Sequence, residues 1–589
     1  MNTTFVCKMA VSALLCAAFL PASATEYTFP SAGGDLASDA AWGETRPTSA
    51  DSIKIDKAGT YTLSDDVTFS EMYMMAGGST FSLGNRKMTL TTSAGDTRGF
   101  RVEGTASSRN VFAGGIYDLS GTAHCLPAYN ANNVNTVFTN NCVVTNVVKF
   151  FAARYSSNSK TEIAGGAKVY ADELRAHNNS GANNTLEIYD GGQLHVANRI
   201  YSEASDGNGG GQRIEIRGAG SILRQAGTYA AMIGYKGSAC SLLAVDGGEF
   251  SSENGGITLG SANASGVVTS FGNSLLVENG GTAKLKTVGY KSYGNTISVS
   301  NATFTCTSTF RLSDTLAASN NLFRAYGPDT VLSLPIGELF GSNTNMCNAI
   351  SLEGGLKWDL GGRDSNVMMA RTHNSIFRIT GVGTTIGNIA KNFYIGDKDS
   401  YLTIDSVSNR LEVLDGATLN ACRVPIMGVA NTLCISNATV NVGDDSVGLR
   451  VGYRFGASPA TNCVLVMQGE TPRIDIAASS DRSSSCVFDN GSTLRFEIPK
   501  KGYAKGYVPF TTTCAFKFNS DACKLEIDCE DFVACTGGRL HLIHAYNIPS
   551  PTQTLLRKCS LPEGCTLEVT TTDVYIKSKS HKGMVVSIF

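Results

Sequence analysis

The chain is poor in charge and in proline, and both scarcities narrow what it can be. Only 17% of residues are Asp, Glu, Lys or Arg, and only 14 are proline. Soluble helical proteins draw heavily on Glu, Lys and Arg, so a helix-rich fold is not expected. Lys and Arg number 48 against 50 Asp and Glu. A balance so near neutrality gives no electrostatic basis for a nucleic-acid partner or an anionic membrane surface. Long apolar runs are missing apart from one near the start, so no transmembrane helix is expected in the remainder. What the chain has instead is 63 glycines, set among frequent Asn, Thr, Ser and Val. Gly and Asn accept positive φ, and β-branched residues suit a pleated strand. This is a composition for short strands and tight turns.

The one apolar run lies between Ala10 and Leu20, behind Lys8, and is followed by the small-x-small triplet Ala22-Ser23-Ala24. It is shorter than the ~20 residues a spanning helix needs. Residues 1–24 therefore read as a secretory signal, cleaved after Ala24, and the expectation is an extracellular or cell-surface protein. Of 17 cysteines, Cys7 and Cys16 fall in this segment. The odd remainder leaves at least one thiol unpaired in an exported chain. The cysteines from Cys125 to Cys486 are scattered and suit small core positions. Cys514, Cys523, Cys529, Cys535, Cys559 and Cys565 crowd the end, where bridges can form with no readable connectivity. Neither group has the C-x-x-C spacing of a zinc site.

One phrase recurs: Asn, any residue, an aliphatic, any residue, an aliphatic, then a small or polar turn. It begins at Asn184, Asn273, Asn295, Asn348, Asn409, Asn431 and Asn462. With Leu, Ile and Val at roughly a fifth of positions, about one Asn in twenty-five would be followed this way by chance. Seven of the 41 Asn are. The turns also match, as Asp190-Gly191-Gly192, Asn279-Gly280-Gly281, Glu353-Gly354-Gly355 and Asp415-Gly416-Ala417 show. The closest phrases, Asn273 with Asn295 and Asn409 with Asn431, are 22 residues apart. Three strands of ~4–5 residues with their turns fill such an interval, which is one rung of a solenoid.

A single rung cannot bury its apolar face, so rungs must stack into one continuous core. Alternation sends Leu186 and Ile188 inward and Glu187 outward. The leading Asn residues, stacked at one corner, are expected to form a structural amide ladder rather than a binding site. The predicted fold is all-β, a parallel β-helix, with residues 151–500 as its repeat region.

Residues 25–150 carry the same strand-and-turn flavour without the phrase and read as an N-terminal cap with early rungs. From 501 to 589 the chain is Cys-rich, and Leu540–His544, Leu567–Val569 and Val574–Lys577 suggest closing antiparallel strands. The opening, with Trp42, Pro47 and Ile53-Lys54-Ile55, resembles the start of large secreted bacterial β-helix proteins. The end, with Gly537-Gly538 and Leu561-Pro562-Glu563-Gly564, resembles the C-terminal part of autotransporter passenger domains. Together with the repeats, the chain is similar to autotransporter-passenger-type or pectate-lyase-like β-helix proteins of bacteria over most of its length. That resemblance implies a right-handed β-helix with caps at both ends. A terminal membrane barrel is not expected, since Gly583 and Ser587 break the alternation leading to Phe589.

Candidate chemistry is sparse. Tyr235-Lys236, Tyr290-Lys291 and Tyr453-Arg454 each follow an aliphatic-Gly pair, and rings beside cations suit sugar or anionic polysaccharide. Asp397 with Asp399, and Asp444 with Asp445, are the densest acid pairs of the repeat region, and loop placement explains both. His541 and His544 on one strand point to opposite faces by simple alternation, with no third ligand nearby, so no metal site is expected. No nucleophile elbow, phosphate loop or dinucleotide fingerprint occurs, and no catalytic residue or cofactor is assigned. The sequence thus favours a secreted or cell-surface structural or adhesive protein that meets polysaccharide or surface matrix. The alternative is a polysaccharide lyase or glycoside hydrolase of the parallel β-helix class. Oligomeric state cannot be read from the chain.

Overall fold

In the computed structural model two-residue alternation of burial marks strands such as Thr60–Thr62, Ser274–Glu278 and Leu322–Tyr326, while others, such as His124–Leu126 and Ile257–Leu259, are buried throughout. The structure describes residues 25–578 except 44, 92–98, 104–108, 121–123, 179–180, 203–209, 262–268, 314, 316–317, 336, 338, 341–344, 361–366, 370–371, 397–405, 444–447, 454–459, 478–485, 530–538 and 562–563. The signal-like segment 1–24 and the terminal Phe589 therefore lie outside the described residues. The fold is all-β, built from long parallel sheets of many strands as a β-solenoid requires. Two compact units, 1–197 and 198–589, divide it.

In the first unit, strands pair in parallel from the outset. One stack runs from Glu26–Thr28 through Ser52–Ile55, Glu71–Met74, Gly99–Val102 and His124–Leu126 to Val143–Arg154 and Lys168–Asn178. A second joins Thr60–Thr62, Thr80–Leu90, Arg109–Asp118, Asn135–Thr139, Lys160–Ile163 and Thr185–Tyr189. Its interior is aromatic: Tyr61, Phe81, Phe112 and Phe138 follow one another at centroid spacings of 5.0, 5.1 and 5.5 Å. That is the ~4.8 Å strand spacing expressed in rings, each fully buried and each filling one rung. At the start, Trp42 sets its ring edge-on to Phe29 at 4.7 Å and donates from Nε1 to the Leu36 carbonyl.

In the second unit the longest stack begins at Arg213–Arg217 and holds one register to Lys524–Asp528. Leu275, Ile297 and Phe323 align inward and are all 0% exposed. Each buried side chain of that size contributes ~1.5–3 kcal/mol, so the core of the stack is its main source of stability. On the outer face charges pair between rungs. Glu412, nearly buried, is held by Arg378 at 2.8 Å and Arg410 at 3.0 Å. The Gly-Gly turns have a steric origin. Asn279 and Gly280 take positive φ, and a Cβ on Gly281 would stand 2.0 Å from the Ala244 carbonyl oxygen.

The C-terminal strands change direction. Arg539–Asn547 runs parallel to Phe510–Phe518, but Asp573–Ser578 pairs antiparallel with it, and Cys565–Val569 antiparallel with Asp573–Ser578. The one α-helix among the described residues, Ser550–Leu556, lies between these strands in sequence. No helix among the described residues is long and apolar enough to cross a membrane. The described cysteines are all free thiols. Most are buried, Cys347 is exposed, and Cys535 lies outside the described residues.

Candidate functional site

The residue preceding each strand of the long stack is buried, and where it is Asn its side chain reaches the neighbouring rung. Backbone N–H groups of Cys240, Asn273, Asn295 and Asn321 donate to the carboxamide oxygens of Asn273, Asn295, Asn321 and Asn348, at 2.9–3.0 Å. Asn348 donates to the Ser375 hydroxyl, Ser375 to Asn409, and Asn409 to Asn431. In the first unit Ser159 donates to Asn184 at 2.9 Å. These Asn are 0–1% exposed, so their amides serve the backbone and not a ligand. Asn321 escapes the sequence phrase because Phe323 and Ala325, not aliphatics of the usual size, follow it.

Asn462 stands elsewhere, which corrects its place in the ladder. Cys463 precedes the Val464–Gln468 strand, and Leu465 and Met467 point inward, each one residue beyond the Val464 and Val466 of the phrase. Asn462 instead has φ 56°, as do its counterparts Asn320 (φ 53°), Asn374 (φ 53°) and Asn183 (φ 55°). Two adjacent columns thus favour Asn for different reasons, one for its amide and one for its tolerance of left-handed backbone. Where cysteine holds the first column, its thiol donates to a carbonyl, as Cys463 does to Gly428 at 3.3 Å.

The three Tyr-cation pairs do not share a face. Strand register aligns Tyr290 with Leu259 and Ile233, so it points into the core, is 0% exposed, and donates to the Leu322 carbonyl at 3.2 Å. Burial pushes its phenol well above the ordinary range. Tyr290 is therefore not a glycan contact, and Lys291 is half-buried beside it. Tyr235 is half-buried and Lys236 exposed, with its ammonium 5.8 Å from the Tyr235 ring. They extend a small outer cluster in which Arg199 lies 3.8 Å over Tyr229, donates to Tyr201 at 3.2 Å, and Tyr201 meets Tyr235 at 5.5 Å. Tyr453 is half-buried with Arg450 over its ring at 4.1 Å, while Arg454 lies outside the described residues. So do Asp397, Asp399, Asp444 and Asp445.

A larger row occupies the outer face of the first unit. Arg101 lies 3.9 Å over the Tyr73 ring and 5.6 Å from that of Tyr129. Tyr129 meets Tyr155 edge-on at 6.0 Å, and Arg154 stands 5.3 Å from Tyr155 and 4.9 Å from Phe151. Arg175 closes the row 6.0 Å from Phe151. The positions come from outward-facing residues of successive rungs: Tyr73 pairs with Arg101, and Phe151 with Arg175. Arg101 and Arg175 also meet Glu103 at 3.3 Å and Glu173 at 3.5 Å, and all four side chains are 20–27% exposed. His124 packs on Phe151 at 5.5 Å and is itself buried, as is Glu71, two residues before Tyr73 on its strand. Arg101 and Arg175 are thus held between rings and carboxylates, while Arg154 is 8% exposed and Phe151 2%.

No family model and no curated protein matches the chain.

The row is thus read from its own chemistry. Sequence inspection missed it because its members lie on different rungs and share no phrase. The findable signal was Arg or an aromatic at outward positions of Glu71–Met74, Gly99–Val102, Val143–Arg154 and Lys168–Asn178.

The C-terminal histidines correct a second expectation. His541 Nε2 and His544 Nδ1 each lie 2.8 Å from the same oxygen, Asp573 Oδ1. A bulge brings them to one face. His541 pairs with Tyr575 and His544 with Asp573, so three steps along one strand oppose two along the other. Simple alternation fails there, and the third donor arrives from the antiparallel partner strand. The His541 ring stacks on Tyr575 at 4.3 Å. Burial pulls its imidazole below the ordinary range against the opposing pull of Asp573.

Proposed function

We propose that this chain is an exported, right-handed β-helix that serves at the cell surface or outside it as a structural and adhesive protein, gripping acidic polysaccharide. The Tyr73–Arg101–Tyr129–Tyr155–Arg154–Phe151–Arg175 row carries this reading. Three tyrosine rings and two partly exposed guanidiniums, Arg101 and Arg175, lie along several rungs over the buried Phe151 and Arg154, which is how an extended ligand with sugar faces and carboxylates would be met. Within the same unit the buried Asn184 amide and the Lys160–Glu187 pair tie neighbouring rungs together. In this reading the signal-like N-terminus directs export, and the antiparallel C-terminal strands cap the stack against edge pairing.

The test is binding of the full chain to polygalacturonate, alginate and a neutral glucan by titration calorimetry, with antibody labelling of intact cells. Arg101→Gln and Arg175→Gln are each expected to weaken acidic-polymer binding by about tenfold, the value of one good charge-assisted contact of ~1.4 kcal/mol. Absence of binding to every polymer, with no surface labelling, would remove the proposal.

A second reading, a polysaccharide lyase or hydrolase, is favoured by Glu103 and Glu173 beside Arg101 and Arg175, with His124 packed on Phe151 of the same row. Carboxylates and an imidazole next to guanidiniums are the parts of a general acid-base site. Unsaturated products or new reducing ends from the same polymers would establish it. Intact polymer after long incubation leaves adhesion as the role of the row.

A further inference from the structure

The arrangement of His541, His544 and Asp573 is that of an open metal site. Their ligating atoms all lie within 4.8 Å of one another. In a site with metal–ligand bonds of about 2.0–2.2 Å, tetrahedral donors stand roughly 3.3 Å apart. The present 2.8 Å separations need to open by only about half an ångström to admit an ion. His544 Nδ1 faces that carboxylate oxygen, and His541 Nε2 lies between it and the Ile543 carbonyl oxygen, 3.0 Å away, so each facing nitrogen is placed to carry the ring proton. Moving that proton to the other ring nitrogen frees each lone pair while the imidazole stays neutral.

The surroundings favour a cation. Arg539 and Lys577, the nearby cations, are both engaged by Glu568, at 2.8 and 2.5 Å. Among the described residues the only ion partners of Asp573 are the two imidazoles. The carboxylate is also oriented: Thr572 Oγ1 donates to Oδ2 at 2.5 Å, leaving Oδ1 for the shared position. Tyr575 holds the His541 ring by stacking. Such outer contacts fix ligand geometry in metal sites. On the open side, His544 is 56% exposed and borders a surface depression lined by Thr511, Thr512, Thr513 and Tyr546.

We infer that His541, His544 and Asp573 bind one divalent first-row transition ion, with zinc as the probe of choice, and that the ion fastens the Asp573–Ser578 strand to Arg539–Asn547. Two imidazoles and one carboxylate suit zinc and not calcium or magnesium, which prefer all-oxygen shells. Three protein donors leave at least one coordination position to solvent or a small ligand.

The test uses the full chain, stripped with chelator and titrated with Zn²⁺ by calorimetry, with Co²⁺ as a spectroscopic substitute. One ion per chain is expected, with visible Co²⁺ bands, no near-ultraviolet thiolate band, and a higher thermal midpoint on zinc addition. His541→Ala and Asp573→Asn should each weaken binding by at least about tenfold and abolish the thermal shift. Should either fail to fold, His544→Gln carries the test, because that exposed ring can be changed without opening the core. A folded His544→Gln that binds Zn²⁺ as tightly as the wild type overturns the proposal. A thiolate band, or a wild-type chain that holds no ion, does so too.

Discussion

The carboxamide oxygen of Asn295 accepts two hydrogen bonds from Asn273, one from its backbone N–H at 3.0 Å and one from its side-chain amide at 3.1 Å. Both residues are 0% exposed, so water cannot replace either bond. Asn295→Ala would leave two buried donors without an acceptor, at about 1–3 kcal/mol each. The expected loss is about 2–6 kcal/mol, read as a drop in urea midpoint. Asn462→Gly should change stability by less than about 1 kcal/mol, since glycine also accepts its positive φ. Equal losses at the two sites would contradict the two-column assignment.

Gly281 tests the turn. Its absent side chain leaves room for the Ala244 carbonyl, 2.0 Å from where a Cβ would stand. Gly281→Ala should destabilise by about 1–3 kcal/mol as the turn is forced away. Gly387→Ala, with nothing within 4 Å of the added carbon, should stay within about 0.5 kcal/mol of wild type in the same denaturation series.

Tyr290 and Tyr235 should separate packing from recognition. Tyr290→Phe removes one hydrogen bond to Leu322 and should cost about 1 kcal/mol of stability while leaving polysaccharide binding unchanged. Tyr235→Ala, on the outer cluster, should leave the denaturation midpoint nearly in place. A binding defect in the Tyr290 variant at wild-type stability would show that its side chain reaches the surface.

Acid should weaken the outer ion pairs in a defined direction. Burial alone would push the Glu353 carboxyl up, but bonds from Arg324 at 3.1 and 2.7 Å and from Ser351 outweigh it and hold the group below its ordinary 4.5. The folded chain therefore takes up this proton less readily than the unfolded chain. The stabilisation is complete above the ordinary value and is lost as pH falls through the depressed one. The pair is largely solvated, so the effect is below about 1 kcal/mol. Midpoints at pH 7 and pH 3 should differ less in Glu353→Gln than in wild type.

Much of the stacking was legible before any coordinates, because what recurs is what stacking demands. Leu186 and Ile188 are inward as alternation requires. Glu187 faces outward but is itself covered, in an ion pair with Lys160. The failures are local and physical. Tyr290 repeats the letters around Tyr235 yet sits two places away in register, which only strand pairing reveals. His541 and His544 share a face through one extra residue that sequence periodicity cannot announce. The Arg–aromatic row joins residues up to a hundred positions apart, and no repeated phrase links them.

The column of left-handed residues has a consequence for how such a chain can vary. The rung separating Asn273 from Asn295 is 22 residues long and that from Cys240 to Asn273 is 33, yet they re-enter the stack through Gly294 and Gly272 at nearly the same φ, 67° and 65°. The turn into each strand acts as a detent that resets the chain whatever length preceded it. Loops ahead of that point are therefore free to lengthen, shorten or take on new chemistry without transmitting an error to the next rung, so novelty in this molecule can be acquired by insertion.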